Sequence, residues 1–198
     1  HYPMTSKVQI CNQALGMLSQ KPITNLSDNT LQAETCNTYY QQVVDALLSS
    51  GDWNSATCQA LLAAEATAPI WEYTYQYPLP SGLDPAYPFC LRVLKVNGDD
   101  EENNGWERRG NKILTDFAPP LKITYLGRVN ETLFTPGLID SIAAEMALRM
   151  AAKFTESGAK VQQAQSLGAL MKADARRMDA KESKDSIIEA SRWLNSRY

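Results

Sequence analysis

Apolar positions recur along this chain with two different periods, and the change of period divides it. Val8, Cys11, Leu15 and Leu18 follow one another at helical spacing behind Ser6, a residue type that caps helices. Gln9, three positions after Ser6, completes a capping-box pattern. The spacing predicts a first helix over 7–19, stopped by Lys21-Pro22 because a proline ring disfavours helical geometry in the residue before it. After the polar stretch 25–29, Cys36, Tyr40, Val43, Val44, Leu47 and Leu48 mark the buried face of a second helix over 31–50. Asp28 or Asn29 can cap it, and Gly51 can end it in the left-handed conformation.

The period then shortens. Residues 71–77, WEYTYQY, alternate aromatic and polar side chains, a strand pattern. A second strand candidate covers 89–96, and the Pro-, Gly- and Asp-rich stretch 78–88 between them carries turn chemistry. Arg109-Gly110-Asn111 signals a hairpin between 107–108 and 112–115, and 122–126 closes the region. Thr135-Pro136 restarts helix, with proline at the first helical position. Leu138, Ile142, Met146, Met150 and Phe154 recur every four residues beside the smaller row Ile139, Ala143, Ala147 and Ala151, which suits close helix packing. This predicts a third helix over 136–157, and Val161, Ala164, Gly168, Met171, Ala175 and Met178 predict a fourth over 160–181. The expected fold is mainly α with a small β insertion (α+β). It would be a bundle of about four helices interrupted by a short antiparallel region over 71–126. A single domain is expected over 4–181, followed by a segment 182–198.

Composition narrows the function. A chain of 198 residues can bury a core without a metal or disulfide staple. A net charge of −3 with no basic run argues against tight binding to nucleic-acid phosphates. No apolar run approaches the roughly 20 residues needed to span a bilayer. Cys11, Cys36, Cys58 and Cys90 are too scattered for two thiolates to share a metal at short spacing. Their positions leave a disulfide open, but three lie in segments that read as buried. As reduced thiols behaving as small hydrophobes, they fit synthesis in a reducing cytosol. Residues 1–3 read as a remnant ahead of Met4.

Catalytic constellations are hard to assemble from what remains. His1 is the only histidine and falls in that remnant, so no Ser–His or Cys–His pair can be named. No glycine-rich phosphate loop appears. Asp99, Asp100, Glu101 and Glu102 lack the spacing of a calcium loop and read as a solvated turn. Tyr73, Tyr75 and Tyr77 could stack on bases, or form a sheet face packed on the helices, and the second reading is preferred. The expectation is a protein that is not an enzyme and needs no cofactor.

Several stretches, read in order, carry a resemblance. They are CNQALGML at 11–18, ITNLSDN at 23–29, AETCNTYY at 33–40, DALL at 45–48 and DWNSA at 52–56. After these come YQYPLP at 75–80, CLRVL at 90–94 and PLKITY at 120–125. The succession resembles the head–tail connector (adaptor) proteins of tailed bacteriophages, the family that includes tail tubular protein A. It spans 4 to about 179, and its specificity lies in order and spacing. One departure is Ser49-Ser50-Gly51-Asp52, where family members often carry a basic residue and a His-Pro pair before the tryptophan.

The resemblance implies a structural virion protein at the head–tail junction, made in the host cytoplasm. Such a protein forms a ring, usually of twelve copies, under the portal protein. It extends the DNA channel and offers a surface to tail, nozzle or head-completion proteins. DNA passes through it without specific binding, and no membrane is involved. It also implies that a C-terminal segment docks on the portal. Here 182–198 supplies Ile187, Ile188, Arg192, Trp193, Leu194, Arg197 and Tyr198, a mixture of apolar anchors and arginines typical of interfaces. The same segment could instead fold back on its own bundle. The main rival is a helical protein–protein interaction module unrelated to virions; a cell-wall hydrolase is a weaker one. Asp99, Asp100, Glu101 and Glu102 are expected to line the channel or face the tail, where negative charge discourages DNA from sticking. Replacing these four by lysine should slow or trap DNA ejection, and unchanged infectivity would count against a channel position.

Overall fold

The computed structural model describes residues 6–100, 105–154 and 158–182. Helix α1 (Lys7–Met17) begins at the capping box. Ser6 Oγ accepts from the Gln9 N–H (3.3 Å) while Gln9 Oε1 accepts from the Ser6 N–H (3.0 Å). Helix α2 (Leu31–Ser50) is capped by Thr30, whose Oγ1 accepts from the Ala33 N–H (3.2 Å). Asp28 instead organises the preceding turn, accepting from the Thr24 and Asn25 N–H groups (2.9 Å each). Gly51 ends α2 at φ −143°, an extended conformation and not the left-handed one expected of it. Helices α3 (Pro136–Phe154) and α4 (Gly158–Glu182) complete the bundle. Helix α3 packs on the other three, which is why it is apolar over so wide an arc: Leu138, Ile142, Ala143, Ala144, Met146, Ala147, Met150 and Ala151 are all buried. Its small residues let α4 approach closely. A Cβ on Gly137 would stand 3.2 Å from Ala175, and one on Gly168 would meet Ala144 at 3.7 Å.

The expectation of a mainly helical fold with a small β insertion is overturned. Among the described residues, seven strands form two antiparallel sheets. The first has the order β1-β7-β3-β4, from β1 (Thr57–Leu62), β7 (Leu121–Gly127), β3 (Cys90–Val96) and the two-residue β4 (Asp99–Asp100). The second has the order β2-β6-β5, from β2 (Tyr75–Pro78), β6 (Lys112–Thr115) and β5 (Trp106–Arg109). Two readings went wrong for physical reasons. Strand β1, TCQALL, has Thr57 as its one strong strand former, and its state is decided by six paired residues on β7, from Thr57 opposite Leu126 to Leu62 opposite Leu121. Residues 71–74 alternate like a strand but turn sharply, with Glu72 at φ +71° and Tyr73 N–H bonded to Trp71 O (3.0 Å).

The sheets enclose a core of their own. Tyr77, Leu79, Cys90, Val93, Val96, Ile113, Leu121, Ile123 and Tyr125 fill it. The helical core is separate, but Leu126 belongs to it, and Cys58, Leu91 and Leu94 pack against it from the sheet. Strand β7 thus faces both cores. Bulges between Cys90 and Arg92 and between Val93 and Lys95 shift which β3 residues point each way. Tyr75 and Tyr77 lie on one face with ring centroids 6.4 Å apart, and the buried Tyr77 donates to Phe117 O (2.7 Å). The tyrosine stripe therefore turns inward as it leaves the loop. Arg108 reaches from β5 to the start of β3, donating to Leu91 O (2.9 Å) and Cys90 O (3.4 Å).

Trp53 sits where α2 hands over to β1. It is buried in the helical core, and its Nε1–H donates to Leu47 O (2.8 Å), one of the carbonyls left without a partner at the end of a helix. Trp53→Ala should cost about 3–5 kcal/mol. Trp53→Phe, which keeps most of the apolar volume but removes one of two donors to the Leu47 carbonyl (Ser50 Oγ, at 3.0 Å, is the other), should cost about 1 kcal/mol. Urea unfolding of the two variants checks this; equal midpoints for both would show that Trp53 does not bridge the two layers.

Candidate functional site

The interaction segments expected from sequence meet the described fold at two places. Asp99 and Asp100 form β4, their backbones paired with Val96 and Lys95. Glu101 and Glu102 lie outside the described residues, as do Ile187, Ile188, Arg192, Trp193, Leu194, Arg197 and Tyr198. The β3–β4 turn, Asn97-Gly98, stands at the end of the first sheet remote from the helices. Val96 pairs with Ile123 in the sheet core, whereas the other end of the same ladder, Cys90 opposite Gly127, adjoins the helical layer. Asn97 (φ +53°) and Gly98 (φ +91°) make this a tight left-handed turn.

The segment 183–198 comes after α4, and the end of α4 is fastened. Asp179, itself buried, accepts from the Asn54 N–H with both carboxylate oxygens (3.1 Å each), and Asn54 Nδ2 donates to Asp179 O (3.0 Å). Arg176 donates to Ser50 O (3.2 Å) and Ser50 Oγ (3.3 Å). One turn of α4 thus holds the turn between α2 and β1. Further along, Lys172 pairs with Glu145 of α3, which also accepts from Arg149 Nε (3.1 Å). Burial by itself pushes the Glu145 carboxyl up, but Lys172 and Arg149 outweigh it and hold the group below its ordinary 4.5.

A polar concavity of about 470 Å³ lies between the helices and the loops before β3 and after β7. Arg128 donates to both oxygens of Asp45 (2.9 and 2.6 Å) and stacks on Phe89 at 4.7 Å from the ring centroid. Tyr40 OH donates to Glu131 Oε1 (3.0 Å), which also lies 3.7 Å from Lys7 Nζ. Burial and the neighbouring Glu131 carboxylate push the Tyr40 hydroxyl up, so it stays a donor at neutral pH. Asp45 likewise holds the Arg128 guanidinium more firmly protonated. The groups clasp one another across three chain segments, and the arrangement locks the 128–133 connection onto α1 and α2. Sequence reasoning singled out none of Lys7, Asp45, Arg128 and Glu131. Their partners lie 83 and 91 positions away (Asp45–Arg128 and Tyr40–Glu131), and no local pattern signals a pairing of that kind.

All four cysteines are free thiols. Cys11 and Cys36 touch in the helical core, where the hydrogen bond to Cys36 and burial push the Cys11 thiol up. Burial pushes Cys90 up to about 11 and raises Cys58 as well. Protonated and enclosed, Cys11 and Cys90 pack as small hydrophobes. Among the described residues, no group of three or more His, Cys, Asp or Glu side chains could hold a metal ion, and no helix is long and apolar enough to cross a membrane.

The geometry defines an α+β protein with two cores and, as the last helix among the described residues, α4 fastened to the joint between them. No protein-family model matches this sequence, and no curated protein matches it either.

Because the Glu145 carboxyl is depressed in the folded chain, its contribution to stability is full above its unfolded value near 4.5 and is lost as pH falls through the folded value. Glu145→Gln should therefore lower stability at neutral pH and flatten its decline below about pH 4.5. Unfolding midpoints measured from pH 3 to 7 (a range set by the ordinary carboxylate values) check this. Parallel pH profiles for the two proteins would show that the pair does not couple α3 to α4.

Proposed function

We propose that this chain is a head–tail connector of a tailed-bacteriophage virion. It assembles with copies of itself into a ring under the portal protein, extends the DNA channel, and presents a surface to tail, nozzle or head-completion proteins. The order of sequence stretches from 11 to 125 first suggests this reading. The observation that carries it is the separation of the two segments expected to meet partners. The segment 183–198 leaves from a helix fastened at Asn54, on the helical side of the first sheet. The acidic run 99–102 begins on β4, at the edge of that sheet opposite β1, three strand spacings or about 14 Å away. A connector needs two such ends, one for the portal and one for the tail side. The riveted α4 gives the docking segment a fixed origin, so that less ordering entropy is lost when it binds.

Electron microscopy of this protein mixed with the portal encoded beside its gene tests the reading. A ring of added density at the portal's outer end is expected. A chain ending at Lys181 should add none, or should bind far more weakly. No added density with the full chain would move the helical interaction module to the front; full binding by the shortened chain would reject 182–198 as the docking segment.

A further inference from the structure

The helical core holds a cluster of sulfur that the proposed function does not use. Cys11 of α1 and Cys36 of α2 are wholly buried there and share a hydrogen bond. Cys36 Sγ in turn donates to Met150 Sδ of α3 (4.0 Å), so sulfur atoms from three helices meet. The helices are not loose around them. Asn12, next to Cys11, donates through Nδ2 to Ile23 O (2.9 Å) and accepts from the Ile23 N–H (2.8 Å), which pins the connection between α1 and α2. Gln13 Nε2 donates to Asp140 Oδ1 (2.6 Å) and ties α1 to α3. The two thiols are therefore kept in contact by bonds on either side of Cys11.

Their surroundings also set them apart from each other. The hydrogen bond with Cys36 and burial push the Cys11 thiol up, whereas the bond that Cys11 donates pulls the Cys36 thiol down against the effect of burial. One sulfur is kept as a proton donor and the other is favoured as a thiolate, the division that a reactive dithiol needs. The remaining cysteines meet neither condition. Burial raises both Cys58 and Cys90. They stand on β1 and β3 with β7 between them, Cys58 opposite Tyr125 and Cys90 opposite Gly127. Two strand spacings, about 9.5 Å, exceed the roughly 7 Å between Cα atoms that a disulfide can bridge.

We propose that Cys11 and Cys36 form a redox pair, which a peroxide closes into a disulfide joining α1 to α2. Hydrogen peroxide is the oxidant that fits, because it is little larger than water and can enter through local openings too small for bulky disulfides. The Cys36 sulfur attacks one peroxide oxygen and the O–O bond breaks. The departing hydroxide takes the Cys36 proton and leaves as water, with Cys36 now a sulfenic acid. The Cys11 sulfur then attacks the sulfenic sulfur. The S–O bond breaks, and the Cys11 proton leaves with that hydroxyl as a second water. Two electrons have passed from the thiols to the peroxide. The new bond encloses the 24 residues from 12 to 35. By constraining the unfolded chain it raises stability. Only the timing rests on the connector reading: there the pair stays open in the reducing cytosol and closes once the virion has left it.

The test treats the folded, full-length protein with hydrogen peroxide at neutral pH, then unfolds it in an alkylating reagent and maps the peptides by mass. Two of the four free thiols should escape alkylation. They should appear as one Cys11–Cys36 linked peptide within a single chain, with the mass of two hydrogens lost. Dithiothreitol should return all four thiols, and the oxidised protein should unfold at higher urea than the reduced one. A Cys58→Ala/Cys90→Ala chain should close the bond as the wild type does, whereas Cys11→Ala should leave Cys36 unlinked. Four alkylated thiols, a link between separate chains, or oxidation confined to Cys58 or to the Met150 thioether overturns the pair. No portal enters this experiment, so its failure leaves the connector reading standing, and failure of portal binding leaves the redox pair standing.

Discussion

The structure depends on one strand facing two cores. Strand β7 turns Leu121, Ile123 and Tyr125 into the sheet core, then places Leu126 in the helical core before Gly127 ends it. A Cβ on Gly127 would come within 3.0 Å of both Cys58 Sγ and Pro88, so glycine is what lets the strand turn away there without a clash. Alternation of side chains across a strand makes one face easy to bury. Burying both, on different partners, fixes the register on each side, because a slip by one residue would exchange the two sets. The neighbouring strands β1 and β3 inherit their places from it. So does the joint at Trp53 and Asn54, since β1 begins three residues further on and pairs with β7 from its first residue.

Around that joint the charged groups act as fasteners between layers. Arg128 with Asp45, Glu131 with Tyr40 and Lys7, and Asp179 with the Asn54 backbone each tie segments far apart in sequence. Exposed ion pairs contribute little each. Asp179 differs because it is buried and accepts backbone hydrogen bonds, where loss of the acceptor would strand a donor. The consequence is geometric: the last turns of α4 are tied to the turn that leads into β1.

How much of this could be read from the chain depends on whether the deciding contact is local. The capping box at Ser6 and Gln9, the span of α2, the Thr135-Pro136 helix start and the Gly110-Asn111 hairpin turn are all local, and each could be located without a structure. Strand β1 was invisible because its pairing partner begins 59 residues beyond its own end, a separation set by Leu62 opposite Leu121. Residues 71–74 misled for the opposite reason. Their alternation is real, but it serves a bent loop that shows Trp71 to solvent while Tyr75 and Tyr77 turn toward the sheet core. The exposed Ile70, Trp71 and Leu83 were missed because a two-residue apolar step and a lone leucine have no pattern. They matter only once the fold reveals them to be exposed. Asp99 and Asp100 read as part of a solvated turn and instead form an edge strand, since two paired residues are too few for any periodicity.

Arg108 has a bearing on how such a molecule can be repeated in space. Among the described residues, strand β3 meets β4 at Lys95 and Val96 and not at its opening residues, whose Cys90 and Leu91 carbonyls take other partners. The guanidinium fills two of those acceptors with a charged plug. Edge-on strand addition has no natural stopping point, and a protein crowded against many copies of itself risks running on into fibrils. With that route closed, any contact between copies would be decided by side-chain shape and charge, which can specify an angle and therefore a finite number.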